Sequence, residues 1–289
     1  MVGYSVKYKK GMETLLIVII VSIIIGFIAA FIGSLVGLGG GIVFVPAMLF
    51  LHETYEAFAW ATPQKIVGIS LVTMVFTGLS SSIAYLKLGR VDIRMGVLFL
   101  IGSIPGSVLG SWLNTQFDVE SFSLYFAILM VVVFLFMLID REKLARNKEI
   151  KITKNTRSFD LDGETHHYNV PLIPALILAI AVGMLSGLFG IGGGTISVPA
   201  MILLFGIPVQ IAIGTSMFII LFISLVSSTT HIYLGHIEWA YVLFFVVGSY
   251  IGGTVGAKTG ALFKGKTLEW FLRIVILIAA ARLMFDGLS

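Results

Sequence analysis

The sequence contains no cysteine and little charge, and both shortages limit what the protein can be. The absence of cysteine excludes a disulfide framework, a thiolate nucleophile and a cysteine-ligated zinc or iron–sulfur site. Charged residues make up only 12% of the chain, whereas about 25% is usual for a soluble domain. Hydrophobic residues make up 58%, and the mean hydropathy is +1.04. This composition excludes a cytosolic enzyme, a nucleic-acid-binding module and a disordered protein, and it indicates a polytopic membrane protein.

Eight hydrophobic segments are long enough to cross a bilayer. They cover approximately residues 15–36 with a continuation to 51, 66–86, 95–113, 122–139, 172–189 with a continuation to 205, 209–234, 239–257 and 268–284. All are expected to be helices, because an open sheet edge is not stable in lipid. The first segment is longer than the apolar core of a signal peptide, so we interpret it as a retained helix.

Residues 140–170 form the only long polar segment, and seven lysines and arginines lie in its first part. Such basic segments stay in the cytoplasm, so the positive charge indicates how the chain is oriented in the membrane. We therefore do not expect a nucleic-acid partner. His166 and His167 have no further ligand at a suitable spacing, which favours a solvated linker over a metal site. The predicted units are an N-terminal transmembrane repeat at 1–139, this cytoplasmic linker, and a C-terminal transmembrane repeat at 171–289.

The two apolar halves resemble one another in sequence. Residues 37–49 (GLGGGIVFVPAML) and 190–202 (GIGGGTISVPAMI) are identical at eight of 13 positions. Further matches are Gly68 with Gly214, Ser70 with Ser216, Gly89 with Gly235, and Gly102, Gly106 and Gly110 with Gly248, Gly252 and Gly256. Internal duplication of this kind is typical of secondary transporters.

The charges of matching loops favour inverted repeats. Loop 87–94 holds three basic residues and its counterpart 231–238 holds no lysine or arginine; loop 114–120 is acidic and its counterpart 258–266 holds three lysines. By the positive-inside rule, matching loops then lie on opposite sides of the membrane. The alternative is four parallel spans per half, which the basic N-terminus favours. Both arrangements place 13 lysines and arginines inside and 4 outside, so the alternative stays open.

Glycine clusters interrupt the first apolar segment of each half. They are Gly37, Gly39, Gly40 and Gly41, and Gly190, Gly192, Gly193 and Gly194. Each glycine costs a helix about 1 kcal/mol relative to alanine, so these segments are expected to break and either re-enter or cross back. Pro46 and Pro199 lie five residues further on, where a new helix is expected to start. Two exposed helix ends at membrane depth would make an anion site, the alternative being tight packing through small residues.

Uncharged polar residues supply the second signal for a substrate site. Ser70, Thr215 and Ser216 lie just inside matching helices, and Gln64 and Gln210 lie at matching entrances. Their hydroxyl and amide groups suit an oxyanion, although interhelical hydrogen bonds are the alternative for any one of them. We predict that these residues, the eight glycines and the two prolines form the substrate site.

No constellation in the spans suggests catalysis. No aspartate or glutamate lies deep in a span, and His231 is interpreted as an isolated helix-end histidine. We therefore expect no catalytic residue, no metal and no cofactor. The Gly-x-x-x-Gly series predict close helix packing, either within the chain or across a homodimer.

Taken together, the doubled GxGGG…VPAM segments, Gly214-Thr215-Ser216-Met217 and the two Gly-x-x-Asp/Glu turns resemble the TauE/SafE family of sulfite-exporter-like permeases. One departure is Ile69, where the family tends to have threonine. The resemblance implies transport of sulfur-containing anions, such as sulfite or organosulfonates, across the plasma membrane. We expect an all-helical, multi-pass secondary transporter that works by alternating access, with a small anion and the lipid bilayer as partners. An anion channel and an intramembrane enzyme are the alternatives.

Overall fold

The computed structural model describes residues 2–137, 156–161, 164–263, 266–268, 270–271, 273–275 and 277–278, with side chains from residue 15 onward in the first helix. The helices are α1 (Val2–Val36), α2 (Gly41–Thr54), α3 (Pro63–Lys87), α4 (Ile93–Asn114), α5 (Val119–Met137), α6 (Leu172–Phe189), α7 (Gly194–Phe205), α8 (Val209–Tyr233) and α9 (Trp239–Gly260). Seven of these described helices are long and apolar enough to cross a membrane. The all-helical multi-pass prediction is confirmed; the expected last span at 268–284 lies largely outside the described residues.

The two remaining helices, α2 and α7, are too short to cross a bilayer. They contain 14 and 12 residues, or about 21 and 18 Å at 1.5 Å per residue, against a hydrocarbon core of about 30 Å. Each follows a glycine break, so the predicted interruption of both first segments is confirmed. The predicted helix starts at the prolines are wrong. Pro46 and Pro199 lie in the second turn, because the helices already begin at Gly41 and Gly194.

Two series of glycines spaced four residues apart, one on α9 and one on α4, pack pairs of helices closely within the chain, and we call them glycine ladders. At nearly every one of these glycines, an added Cβ would collide with a backbone carbonyl group of the facing helix. On the α9–α1 side the rungs are Gly248 with Ile23, Gly252 with Phe27 and Gly256 with Phe31; on the α4–α6 side they are Gly102 with Leu176, Gly106 with Ile180 and Gly110 with Met184. The ladders thus join one half of the chain to the other at matching positions. In both pairs the two helices run in the same direction.

Side-chain hydrogen bonds define two faces of the molecule. At the start of α3, Gln64 Nε2 donates to the carbonyl oxygens of Asn114 (3.3 Å) and Phe117 (2.6 Å) at the end of α4, so α3 and α4 are antiparallel. After α3, Arg90 Nη1 donates to the carbonyl oxygen of Ala261 (3.0 Å), which follows α9. We call this second face the basic end, because Lys87, Arg90, Arg94 and Lys258 lie there, and the other face the opposite end.

Part of the polar segment folds onto the basic end. Strands β1 (Thr156–Leu161) and β2 (Glu164–Asn169) pair antiparallel. Tyr168 is buried, and its hydroxyl donates to the carboxylate of Asp92, which in turn accepts from the backbone N–H of Met95 and caps α4. The expectation of a simple solvated linker is therefore wrong for this hairpin, because its tyrosine supplies a buried hydrogen bond to the membrane helices.

Candidate functional site

The two glycine breaks meet at the middle of the helix bundle. Met74 and Ile220 are the twelfth residues of α3 and α8, which contain 25 residues each. A Cβ placed on Gly39 lies 3.1 Å from Met74 Sδ and 3.0 Å from Ile220 Cδ1. A Cβ on Gly192 would contact the same two side chains. Because α3 and α8 both span the membrane, their midpoints place the two breaks at about mid-depth.

The break conformation explains why glycine occupies these positions. Gly37, Gly39 and Gly40 have φ values of 79°, 87° and 96°, and the corresponding glycines of the second break have values between 68° and 74°. Residues with a Cβ rarely adopt this left-handed region. The tight turns let α2 and α7 begin abruptly, with glycine N-caps and no side-chain cap. The first N–H groups of both helices therefore have no partner within the helix.

The starts of α2 and α7 lie against the opposite break. A Cβ on Gly41 would collide with the carbonyl oxygen of Gly190, and a Cβ on Gly194 would collide with that of Gly37. Two serines hold these carbonyl groups in place: Ser70 Oγ donates to Gly190 at 2.7 Å, and Ser216 Oγ donates to Gly37 at 2.8 Å. The breaks are thus clamped together across the two halves. Ser70 and Ser216 act here as clamps, since their protons are already donated.

The surroundings of the breaks are apolar and closed. The break glycines are all buried, and the side chains nearest to them include those of Val67, Met74, Ile213 and Ile220. Thr195, the second residue of α7, is fully buried, and its hydroxyl has no hydrogen-bond partner among the described residues. An unpaired buried hydroxyl is costly, so this one is a candidate ligand group. No repeat pattern points to Thr195, because Ile42 occupies the matching position in the first half.

The structure does not bring every predicted site residue to the breaks. The amide of Gln64 binds carbonyl groups at the end of α4, where it satisfies a helix C-terminus. Thr215 Oγ1 accepts a hydrogen bond from the N–H of Asp92 (2.9 Å) near the basic end. Gln210 lies in the first turn of α8 and is half-buried. Pro46 and Pro199 are buried inside α2 and α7 rather than at their first turns.

These placements predict different results for two neighbouring substitutions. Ser216→Ala removes the clamp on Gly37, so we expect the KM for transported anion to rise about fivefold or more, as for a lost hydrogen bond of about 1 kcal/mol. Thr215→Val removes an acceptor near α4, so it should lower the thermal stability slightly and leave KM within twofold. Saturation curves from proteoliposomes and melting curves in detergent measure both quantities. Equal effects of the two changes on KM would contradict this assignment.

Comparison with known proteins agrees with the architecture. The family model described as "Sulfite exporter TauE/SafE" matches residues 22–283. "Probable membrane transporter protein YunE" of Bacillus subtilis (strain 168) is 40% identical over 253 residues, which cover 88% of this chain and 92% of the relative. "Sulfite exporter TauE/SafE family protein 6" of Arabidopsis thaliana is 30% identical over 151 residues, or 52% of this chain and 32% of the relative. No solved structure matches the chain significantly.

The matched region contains both glycine breaks, the second part of α1, and all of helices α2 to α9. A second bacterial relative, "Probable membrane transporter protein" of Xylella fastidiosa (strain Temecula1 / ATCC 700964), is 29% identical over 222 residues, covering 76% of each chain. The family match extends over far more than half of the sequence, and the bacterial relatives are named as membrane transporters. The chain therefore belongs to the TauE/SafE sulfite-exporter family and is a multi-pass membrane transporter.

Proposed function

We propose that this transporter moves a small sulfur-containing anion, of the sulfite or organosulfonate class, across the plasma membrane by alternating access. The observation that carries the proposal is the meeting of the α2 and α7 N-termini at mid-depth. Each helix N-terminus is equivalent to about half a positive charge, so the two together offer about one. A singly charged oxyanion would be matched by backbone N–H groups and the Thr195 hydroxyl, without a buried lysine or arginine.

We infer that the two halves are inverted repeats. Helices α4 and α9 occupy matching positions in the sequence, yet α4 begins at the basic end and α9 ends there, as the Arg90–Ala261 bond requires. Matching helices that run in opposite directions are related by an axis in the membrane plane. With such an axis, the two halves can exchange conformations, and this exchange converts an inward-open state into an outward-open state. The arrangement therefore supports alternating access.

The basic end is proposed to face the cytoplasm. Lysines and arginines of two separate loops meet there, and the hairpin that follows the basic linker packs there as well. The closed surroundings of the breaks fit an intermediate in which the site opens to neither side. Rocking of one half against the other would open it alternately.

Cysteine labelling tests this orientation with four matched positions. Gln116 corresponds to Leu262, and Lys87 corresponds to Tyr233; all four side chains are exposed. We expect Lys87→Cys and Leu262→Cys to react from the cytoplasmic side only, and Gln116→Cys and Tyr233→Cys from outside only. A membrane-impermeant maleimide on intact cells, compared with lysed cells, measures this, and the cysteine-free native chain is the blank. Parallel repeats would instead label each matched pair from one side.

Flux in proteoliposomes tests the substrate class and separates the alternatives. We expect sulfite or methanesulfonate uptake that saturates and is accelerated by the same anion inside the vesicle. A channel would give flux without saturation or acceleration, and an intramembrane enzyme would convert the anion chemically. Uptake by purified protein no greater than that of empty vesicles, for both anions, would rule out the proposed substrate class.

A further inference from the structure

Two histidines near the opposite end form a contact that the proposed anion site does not use. His231, in the last turn of α8, is fully buried. Its Nδ1 lies 2.9 Å from Nδ1 of His236 in the following turn, and its Nε2 lies 3.2 Å from the carbonyl oxygen of Gly187 near the end of α6. The interpretation of His231 as isolated is therefore wrong, because the turn after α8 brings His236 back onto it.

The hydrogen bonds assign the protons of the neutral pair. A carbonyl oxygen only accepts, so Nε2 of His231 carries a proton, and Nδ1 of this neutral ring must then accept. His236 consequently donates through Nδ1, and its Nε2 is the remaining basic nitrogen. His236 is half-buried, so Nε2 is within reach of water. Burial lowers the pKa of the His236 imidazole below its usual value, which favours the neutral form of His236 at neutral pH.

We propose that the His231–His236 pair is a proton-binding site and that its proton is co-transported with the anion. His236 Nε2 takes a proton from the aqueous side, and the Nδ1 proton of His236 is then shared with Nδ1 of His231. The pair as a whole carries one positive charge. The co-transport role rests on the proposed anion transport, whereas the proton site rests on the histidine geometry alone.

The charge would arrive at a position that favours anion binding. The Gly187 carbonyl is among the last four of α6, where a cation is stabilised by the helix dipole. Gly187 also lies only three residues before Gly190, the first glycine of the second break. A proton there attracts an anion at the break, and by reciprocity a bound anion raises the affinity for the proton.

The matching contact in the first half cannot take up this proton. Tyr85 corresponds to His231, and its hydroxyl donates to the carbonyl oxygen of Ser34 (2.9 Å), which corresponds to Gly187. A tyrosine thus makes the same helix contact without a basic nitrogen. His231→Tyr is therefore a variant with a precedent in this fold, and it removes the partner with which His236 shares its proton.

Few other charged groups surround the pair. In the turn that holds His236, Glu238 forms an ion pair with Lys65 of α3 (2.7 Å), so the two charges offset each other. The α6 sequence contains no titratable residue, α4 contains only Arg94 at the basic end, and Tyr233 is the other titratable residue in the last turn of α8. The histidines are accordingly the groups in this region that can change charge between pH 5 and 8.

An accumulation assay with the full chain in proteoliposomes tests the coupling. With one pH unit imposed across the membrane, the wild-type protein should concentrate a sulfonate about tenfold on the alkaline side, as one proton per anion allows. His231→Tyr should reduce the ratio to about one. His52→Gln, which alters another histidine at the opposite end, is the control and should retain the tenfold ratio. A tenfold ratio in His231→Tyr, or downhill flux without accumulation in the wild type, would overturn the coupling.

Titration of ¹⁵N-histidine-labelled protein tests the proton site even if no anion is moved. We expect the His231 and His236 signals, identified by single substitution, to change together over one pH range. In His231→Tyr, His236 should titrate alone and over a different range. Independent titration of the two signals in the wild type would overturn the site. Absence of all anion flux with coupled titration would instead reject the proposed transport and leave the proton site standing.

Discussion

Replacing Gly41 or Gly194 by alanine is expected to lower the initial rate of anion transport by about 10- to 100-fold. Each added Cβ would collide with a backbone carbonyl of the opposite break, Gly190 or Gly37 respectively. Backbone cannot rotate away as a side chain can, and overpacking of this kind costs about 1–3 kcal/mol. The two breaks would be pushed apart, so the helix N-termini that are proposed to bind the anion would move away from each other. Rates per folded protein in proteoliposomes measure the effect.

Two glycines outside the site provide the matched control. Gly89 and Gly206 adopt positive φ, unlike Gly41 and Gly194, but a Cβ on either has nothing within 4 Å. Gly89→Ala and Gly206→Ala should therefore transport within about twofold of the wild type, despite about 1 kcal/mol of backbone strain. If Gly41→Ala does not fold, Thr195→Val tests the same site, because it removes the unpaired hydroxyl while keeping the shape. We expect it to raise KM without loss of stability; an unchanged KM would contradict a role for Thr195.

Replacing a ladder glycine by leucine is expected to destabilise the fold severely. Gly106 and Gly252 occupy matching positions, and a Cβ on either would collide with the carbonyl oxygen of Ile180 or Phe27. Because α4–α6 and α9–α1 are the most extensive contacts between the halves among the described residues, a leucine at either glycine must separate two closely packed helices. The loss should reach about 3 kcal/mol or more, with little folded protein recovered. Thermal melting and gel filtration in detergent measure it.

Ile251 gives the control for the ladder prediction. It is next to Gly252 but half exposed on the outer surface of α9, so Ile251→Leu should leave the melting temperature unchanged. The experiment also separates packing within the chain from packing across a homodimer. Wild-type stability of Gly106→Leu together with loss of a dimer peak would favour the homodimer and contradict the ladder assignment.

Much of this architecture follows from local sequence properties. Hydropathy predicts the long helices, because an apolar segment in lipid must form its backbone hydrogen bonds within itself, and a helix does so whatever it packs against. The glycine breaks are equally predictable, because three residues with positive φ in each break require glycine. The prediction that helices start at Pro46 and Pro199 is wrong, because they start at Gly41 and Gly194. A proline near the start of a helix is compatible with more than one position in the first turns, so the sequence alone does not give the residue at which the helix begins.

The contacts between distant residues could not be predicted from sequence. A buried serine or threonine needs a partner, but the partner depends on how the helices pack. Ser70 and Ser216 lie at the breaks, and their role as clamps on carbonyl groups depends on the other half of the chain. Thr215 is adjacent to Ser216 but faces Asp92, because neighbouring residues point to different sides of a helix. The Tyr168–Asp92 bond joins a hairpin to a membrane helix and leaves no local signature.

The most direct test of the central claim is to locate a bound anion. Selenite is a heavier analogue of sulfite whose selenium can be identified by anomalous scattering in crystals of the full chain. If the breaks bind the anion, one selenium peak should lie between the starts of α2 and α7, within hydrogen-bond distance of the N–H groups of Gly41 or Gly194. Gly41→Ala crystals should lack this peak. A peak beside Arg90 or Lys65 instead, with nothing at the breaks, would contradict the account.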